Sequence, residues 1–344
     1  MQWRRAVAGL VVAVGVVGLF VSGVGWNEVL EHVRAAHPGA LAAALVAGLG
    51  MLALRGALVK RLLAPIDGAA SGTTFATAYL SGYFARSALP WGRSTGTPIM
   101  AYLLARDSDS EFEDNLAVVA AAEGFNLVGS LVLAGIGIAI FATVGGGSVD
   151  TVIGSLAVAG GGGLLTAGAL IVVFNRGIAR RVSFGLAARC ETAVGAVPRL
   201  PSVQGRLTGR IDGFFGTLEA IQASRRTLVA AFGIALASWV LNALPLYFGL
   251  LALGVDVPLA LVLVCAPLAS FGGIVPLPGG SGGIEVVLAS LLVATAGVPA
   301  GVATAAALLY RLTTYWAHFA ISGCVAVLVS VFGTKPALPI DRGL

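Results

Sequence analysis

The chain has 344 residues, of which 58% are hydrophobic, 11% are charged and 48 are glycine. Soluble globular proteins carry a charge on about a quarter of their residues, so this composition indicates an integral membrane protein and argues against nucleic-acid binding and cytosolic metabolism. The three cysteines and three histidines are scattered without metal-ligand spacing, and no nucleotide-binding or hydrolase motif occurs. We therefore expect no cofactor, no metal site and no enzymatic activity.

Six apolar stretches are long enough to cross the hydrocarbon core of a bilayer, which takes about 20 helical residues. They cover residues 6–24, 39–54, 116–144, 151–174, 228–251 and 301–331. Two further apolar regions, 69–106 and 259–296, are each interrupted by a Pro/Gly-rich turn. The sequence thus predicts an all-α, polytopic membrane helical bundle with six spans and two broken hairpins, each either re-entrant or a pair of full spans.

Basic residues cluster in loops that the positive-inside rule assigns to the cytoplasm. They are Arg4, Arg5, Arg55, Lys60, Arg61, Lys335, Arg342 and nine arginines within segment 175–226. We expect a multi-pass protein of the plasma membrane with both termini in the cytoplasm. When the membrane crossings are counted from this orientation, the two broken hairpins enter the membrane from opposite faces.

The cytoplasmic segment 175–226 contains an amphipathic stripe. Apolar residues recur there three or four positions apart, as on one helix face: Val203, Leu207, Ile211, Phe214, Leu218 and Ile221. Arginines flank this stripe, so it is expected to lie in the membrane interface against anionic headgroups. A coiled-coil contact is the alternative. The segment would be a linker within a single membrane domain, 1–344, between a first repeat, 39–144, and a second, 228–331.

The turns of the two broken hairpins carry a related motif. The first reads ALPWGRSTGTP and the second PLPGGSGGIE, each with Leu-Pro followed by glycine two residues after the proline. Glu123 follows Pro90 by 33 residues, and Arg311 follows Pro278 by the same interval. We interpret the halves as an inverted repeat with broken helices, an architecture of many secondary transporters. Coincidence in a glycine-rich chain is the competing interpretation.

Charged side chains inside a bilayer are costly and persist where they are paired or functional. Glu123 and Arg311 come near mid-depth by helical rise, and we expect both to face a shared polar interior. Three hairpin residues would join them there: Arg86, Arg93 and Glu285. Arginine binds phosphate in a bidentate manner, so the three arginines would offer a path for an anionic headgroup, while the glutamates fix them or carry a coupling proton. A purely structural ion pair between Glu123 and Arg311 is the alternative.

Other polar positions complete the predicted pathway. Asn126 lies one turn after Glu123, and Tyr315 shares the helix face of Arg311, whereas Tyr310 does not. His318 is better explained as an interhelical hydrogen-bond partner than as a proton relay. The predicted pathway residues are Arg86, Pro90, Arg93, Glu123, Asn126, Pro278, Gly279, Gly280, Glu285, Arg311 and Tyr315.

The second hairpin and its following helix, PLPGGSGGIE and then ALLYRLTTYW, resemble the C-terminal signature of the lysylphosphatidylglycerol synthase transmembrane-region family. Its members are flippase-like, UPF0104-type membrane proteins that occur alone or fused to a synthase or glycosyltransferase domain. The residues on the family's pattern are Pro276, Pro278, Gly279, Gly280, Gly283, Glu285 and Arg311, with Leu89, Pro90, Gly92 and Glu123 in the N-terminal half. Thr97 and Gly124 depart from it, since many relatives carry an acid and an arginine there.

The resemblance implies translocation of an anionic or polyprenyl-phosphate-linked lipid between leaflets, through a polar cavity near the midplane. The partners would be membrane lipids and a possible separate transferase or synthase, with no nucleic acid. Two alternatives stay open. One is a proton-coupled small-anion transporter, and the other is a non-transporting membrane partner of a glycosyltransferase or aminoacyl-lipid synthase.

Overall fold

The computed structural model describes residues 26–90, 92–144, 206–274 and 277–332. The regular structure in this part of the chain is helical throughout. The helices are α1 (Trp26–Ala35), α2 (Pro38–Leu63), α3 (Gly72–Ala88), α4 (Gly92–Arg106), α5 (Phe112–Val144), α6 (Arg206–Ala223), α7 (Arg225–Ala252), α8 (Leu259–Ala269), α9 (Gly283–Ala296) and α10 (Ala300–Phe332). We call residues 38–144 the first half and 225–332 the second half.

Five of the described helical segments are long and apolar enough to cross a membrane: α2, α5, α7, α10 and the segment Pro278–Ala296, which contains α9. The predicted spans 39–54, 116–144, 228–251 and 301–331 are thereby confirmed as membrane-type helices. The predicted spans 6–24 and 151–174 lie outside the described residues. The chain is therefore an integral membrane protein whose described residues form helices and their connecting turns.

Helix α2 corrects one loop assignment. It runs for 26 residues to Leu63, so Arg55, Lys60 and Arg61, which the charge pattern assigned to an inner loop, all lie inside the helix. The residues that follow Arg55 are mostly alanine, leucine, lysine and arginine, which are good helix formers. The arginine ends the apolar run but does not end the helix, and its side chain is held between helices.

Both interrupted regions form antiparallel hairpins. In the first, α3 ends at Ala88 and α4 begins at Gly92. Gly82 packs against Met100 while Gly96 packs against Arg86, so the two helices run in opposite directions. In the second, α8 continues as a 3₁₀ turn, Ser270–Ile274, and a second 3₁₀ turn, Pro278–Gly280, precedes α9.

The helices of the two halves pack across each other. Among the described elements, α2 and α7 make the most extensive contact, and they lie side by side through the centre. The first arm of each hairpin contacts the long helix of the other half: α8 packs on α5, and α3 packs on the C-terminal part of α10. Two large apolar clusters result, one mainly in each half.

Helix α6 contradicts part of the predicted membrane-interface stripe. Ile221 is only 1% exposed and lies in the first-half core, against which Leu218 also packs. The Thr217 hydroxyl donates a hydrogen bond to Asp114 of α5. The chain turns directly from α6 into α7, which holds α6 against the bundle. This end of the stripe is therefore protein core, while Val203 lies outside the described residues.

Candidate functional site

A cavity of about 410 Å³ lies between the two halves. Both hairpins line it, together with α2, α7 and α10. Its principal polar lining residues are Arg55, Tyr83, Arg86, Asn242, Arg311 and Tyr315. Trp239, another lining residue, stands at the middle of the 28-residue helix α7, about 20 Å from either end by helical rise. The cavity is thus at mid-length of a helix that can span a membrane.

A buried ion pair supports one side of this cavity. The Arg311 Nε donates to Glu285 Oε1 at 3.0 Å, and the two side chains are 6% and 2% exposed. The other carboxylate oxygen, Oε2, accepts a hydrogen bond from the Gly282 backbone N–H at 2.8 Å. Burying a charge pair is tolerable only when its remaining hydrogen-bonding capacity is met. These bonds meet that requirement and join α10 to the start of α9.

Arg311 also fixes the turn of the second hairpin. Its Nη2 donates to the Gly279 carbonyl at 2.9 Å and to the Ser281 hydroxyl at 3.2 Å. Its guanidinium lies 4.2 Å from the ring centroid of Tyr315. Gly279 has φ of +59°, and a Cβ there would overlap that ring. The glycine is therefore required for both its backbone conformation and the close approach of Tyr315.

A second ion pair lies on the first hairpin. Arg86, near the end of α3, donates through both terminal nitrogens to the two carboxylate oxygens of Glu123 on α5. The side chains are 18% and 28% exposed, so this pair is less buried than the other. Arg86 lines the cavity. Each half thus pairs a hairpin charge with a charge on its own long helix, and the alternative of an ion pair between Glu123 and Arg311 is not what the structure shows.

Two aromatic residues of α10 tie the halves together. The Tyr315 hydroxyl donates to the Ser87 carbonyl at 3.0 Å. His318 is fully buried, with Nε2 at 2.8 Å from the Gly48 carbonyl and Nδ1 at 3.4 Å from the Tyr83 hydroxyl. His318 is confirmed as an interhelical hydrogen-bond partner. The cavity therefore sits between halves that are bonded to each other at its edge.

Comparison with known proteins identifies the family of this chain. The family model described as the lysylphosphatidylglycerol synthase TM region matches residues 6–322. The chain belongs to this family. A UPF0104 membrane protein of Methanothermobacter thermautotrophicus is 25% identical over 340 residues, which cover 95% of this chain and 96% of the relative. A second UPF0104 membrane protein match from that organism is 35% identical over 118 residues, 34% of this chain and 35% of the relative.

The predicted pathway residues of this lysylphosphatidylglycerol synthase TM-region protein divide into three groups. Those that line the cavity are Arg86, Gly279, Gly280, Arg311 and Tyr315. Those that do not line it are Glu123 and Glu285, which hold the arginines, together with Pro90, Asn126 and Pro278. The predicted role of the Arg93 side chain lies outside what the structure describes. The sequence thus identified one wall of the cavity and most of its supports.

Asn126 supports the cavity indirectly. Its backbone carbonyl accepts a hydrogen bond from the Trp239 indole N–H at 2.6 Å, and its side chain lies 3.5 Å from the Ser238 hydroxyl. Helical spacing placed Asn126 on the Glu123 face, but that face meets α7 at this level. Asn126 therefore orients Trp239 instead of lining the space.

Tyr310 lines the cavity, although helical spacing placed it off the Arg311 face. Its hydroxyl accepts a hydrogen bond from Asn242 at 3.0 Å. A π-helical turn, Leu312–Trp316, follows directly in α10, and such turns are frequent at functional sites. The cavity therefore meets α10 on the Tyr310 face as well as on the Arg311 face.

Arg55 is the functional candidate that sequence reasoning missed. It lines the cavity from α2, and its guanidinium carbon lies 5.6 Å from the Trp239 ring centroid. Charge counting treated it as a loop marker because it ends an apolar run. The signal that could have found it is the helix-compatible sequence GALVKRLL immediately after it.

Proposed function

We propose that this protein is a lipid translocase that moves an anionic or polyprenyl-phosphate-linked headgroup between membrane leaflets. The observation that carries the proposal is the cavity of about 410 Å³ between the two hairpins, lined by Arg55, Arg86 and Arg311. Arginines in the interior of a membrane bundle are costly and mark substrate paths. Guanidinium groups suit phosphate because they donate two parallel hydrogen bonds.

We further propose that the halves are an inverted repeat. Support comes from reciprocal contacts between corresponding elements of the two halves: α2 pairs with α7, α5 contacts α8, and α10 contacts α3. Within each half the second hairpin arm contacts the long helix that follows, α4 on α5 and α9 on α10. A two-fold relation between the halves explains this reciprocity. The cavity would then be reached alternately from the two membrane faces, as in transporters built this way.

In this mechanism the two charge pairs have different tasks. The Arg311–Glu285 pair is buried and bonded to the turn at Gly279 and Ser281, so it shapes one wall. Arg86 is more exposed and lines the cavity, so an anionic headgroup can compete with Glu123 for its guanidinium. Glu123 is the proposed carrier of a coupling proton. The chain would then act as a carrier and not as an enzyme.

The proposed membrane location and orientation of the protein follow from the distribution of its charged residues. The excess of basic residues at the termini and in segment 175–226 favours a plasma-membrane protein with cytoplasmic termini. Membrane lipids are the proposed ligands, and a separate transferase or synthase is a possible source of the substrate lipid. Labelling of single cysteines at Ser148 and Ser202 tests the orientation, since only the first should react from outside.

The deciding experiment is a leaflet-exchange assay in proteoliposomes that contain fluorescent phosphatidylglycerol. Wild-type protein should let dithionite bleach the inner-leaflet fluorophores, and Arg86→Gln should slow this exchange about tenfold or more, the value of one lost charge-assisted interaction. Arg106→Gln is the matched control, because Arg106 forms an exposed ion pair with Asp107 at the far end of the same hairpin.

Exchange no faster than in protein-free vesicles would reject the lipid translocase. Substrate-dependent proton flux without lipid exchange would favour the small-anion transporter instead. If neither is seen, the protein is better described as a non-transporting partner of a glycosyltransferase or synthase. If Arg86→Gln and Arg106→Gln slowed exchange equally, lipid translocation would stand as the activity, but Arg86 would have no specific role in the pathway.

A further inference from the structure

Three arginines line the cavity, and they differ in whether a carboxylate neutralises their charge. Arg86 pairs with Glu123, and Arg311 pairs with Glu285. Arg55 forms no ion pair with any carboxylate of the described residues. Among the described side chains, the paired charges cancel, so Arg55 gives the lining one positive charge in excess.

Arg55 is also incompletely hydrogen-bonded. Its Nε is buried from solvent and has no hydrogen-bond partner among the described residues. The Trp239 ring 5.6 Å away supplies a cation–π contact, which stabilises the charge but accepts no conventional hydrogen bond. A buried donor without a partner costs free energy. The Arg55 guanidinium therefore lines the cavity with donor capacity that no described residue uses.

Neighbouring polar groups are already engaged with the protein. The Asn242 amide donates to Tyr310, and the Thr314 hydroxyl donates to the Tyr310 carbonyl at 2.7 Å. Tyr315 donates to the Ser87 carbonyl. These groups shape the cavity wall, while Arg55 has donor capacity left over for a ligand.

We propose that Arg55, backed by Trp239, holds the phosphate of a ligand that carries a single negative charge, such as the phosphodiester of a phospholipid. Among the described lining residues the positive charge of Arg55 is uncompensated, which favours a negative charge in the ligand. The planar guanidinium can donate two parallel hydrogen bonds to two phosphate oxygens. This inference rests on the proposed lipid translocation and names the residue that would hold the headgroup.

Calorimetric titration of the purified full-length protein in detergent tests this. The probes are dihexanoyl phosphatidylglycerol, dihexanoylglycerol, which lacks the phosphate, and inorganic phosphate. Wild-type protein should bind the first and not the second. Arg55→Gln should weaken that binding roughly tenfold or more, and Arg55→Lys, which keeps the charge, should weaken it less.

Arg61→Gln is the matched control. Arg61 lies on the same helix and its Nε likewise has no hydrogen-bond partner among the described residues, yet it does not line the cavity. Its removal should leave phosphatidylglycerol binding unchanged. Equal weakening by both substitutions, or unchanged binding in Arg55→Gln, would overturn the assignment of Arg55.

Location and ligand source are tested separately. Binding should change the tryptophan fluorescence, and Trp239→Phe should abolish that change, since Trp239 contacts Arg55. A change that persists would place the ligand elsewhere and overturn the proposal.

Inorganic phosphate binding as tightly as the lipid, and lost in Arg55→Gln, would support the anion site but count against lipid as the ligand. Leaflet exchange at the wild-type rate in Arg55→Gln, with unchanged binding, would reject this inference alone and leave the translocase standing.

Discussion

The two ion pairs of this protein each join a hairpin to a long helix but differ in their surroundings. Arg311–Glu285 is 6% and 2% exposed and is bonded to three groups of the hairpin turn. Arg86–Glu123 is 18% and 28% exposed, and its arginine lines the cavity, as Arg311 does. A fully buried and fully bonded pair resists rearrangement, whereas a partly solvated pair can exchange partners at lower cost. We infer that the second half holds the cavity in shape and the first half responds to the ligand.

Removing one member of the buried pair should have the largest effect on stability. Glu285→Gln leaves the Arg311 charge buried without a counterion, which should lower the free energy of unfolding by about 3–5 kcal/mol. Unfolding by dodecyl sulfate in mixed micelles measures this. The double variant Glu285→Gln with Arg311→Gln should recover much of the loss, because no charge is then left uncompensated. A single variant within about 1 kcal/mol of wild type would show that the pair is not the anchor.

The turn that this pair holds gives the next largest effect. Gly279→Ala places a Cβ against the Tyr315 ring at a φ of +59°, and should destabilise by about 2–3 kcal/mol through overlap and left-handed backbone. Gly297→Ala is the control, since Gly297 has φ of +63° with open space around it. It should show only the backbone cost of about 1 kcal/mol. Equal losses in both variants would exclude a role for the Tyr315 contact.

Breaking the exposed pair should affect transport more than stability. Glu123→Gln should cost about 1–2 kcal/mol in unfolding free energy, because solvent screens the remaining charge, but should slow leaflet exchange about tenfold. The swap of Arg86→Glu with Glu123→Arg should restore the stability and not the exchange, since the cavity then presents a carboxylate. A swapped variant with wild-type exchange would contradict the proposed use of Arg86.

The contrast between the pairs was only partly predictable from sequence. Hydropathy and length predict the helices around Arg86 and Glu285, and the Pro/Gly turns predict both hairpins, because these features are local. The partners of Glu123 and Arg311 depend on how helices 26 or 37 residues apart in sequence face each other, which no spacing rule contains. Arg55 was missed because an isolated arginine inside a helix and one in a cytoplasmic loop leave the same mark in a hydropathy profile.

The smallest effect concerns one of the hydrogen bonds that join the two halves. Tyr315→Phe removes the hydroxyl that donates to Ser87 and keeps the ring beside Arg311. Tyr310→Phe removes a hydrogen bond with Asn242 that lies within the second half. Each should cost about 1 kcal/mol in unfolding free energy, the typical value of one such bond.

Only Tyr315→Phe should alter the rate of leaflet exchange. If the halves move against each other during transport, the Tyr315 hydroxyl bond to Ser87 must break in each cycle, because it joins the first hairpin to α10. Stopped-flow measurement of exchange at several temperatures would separate a changed barrier from a changed amount of active protein. Equal exchange rates in the two tyrosine variants would mean that the halves keep this contact while the headgroup crosses.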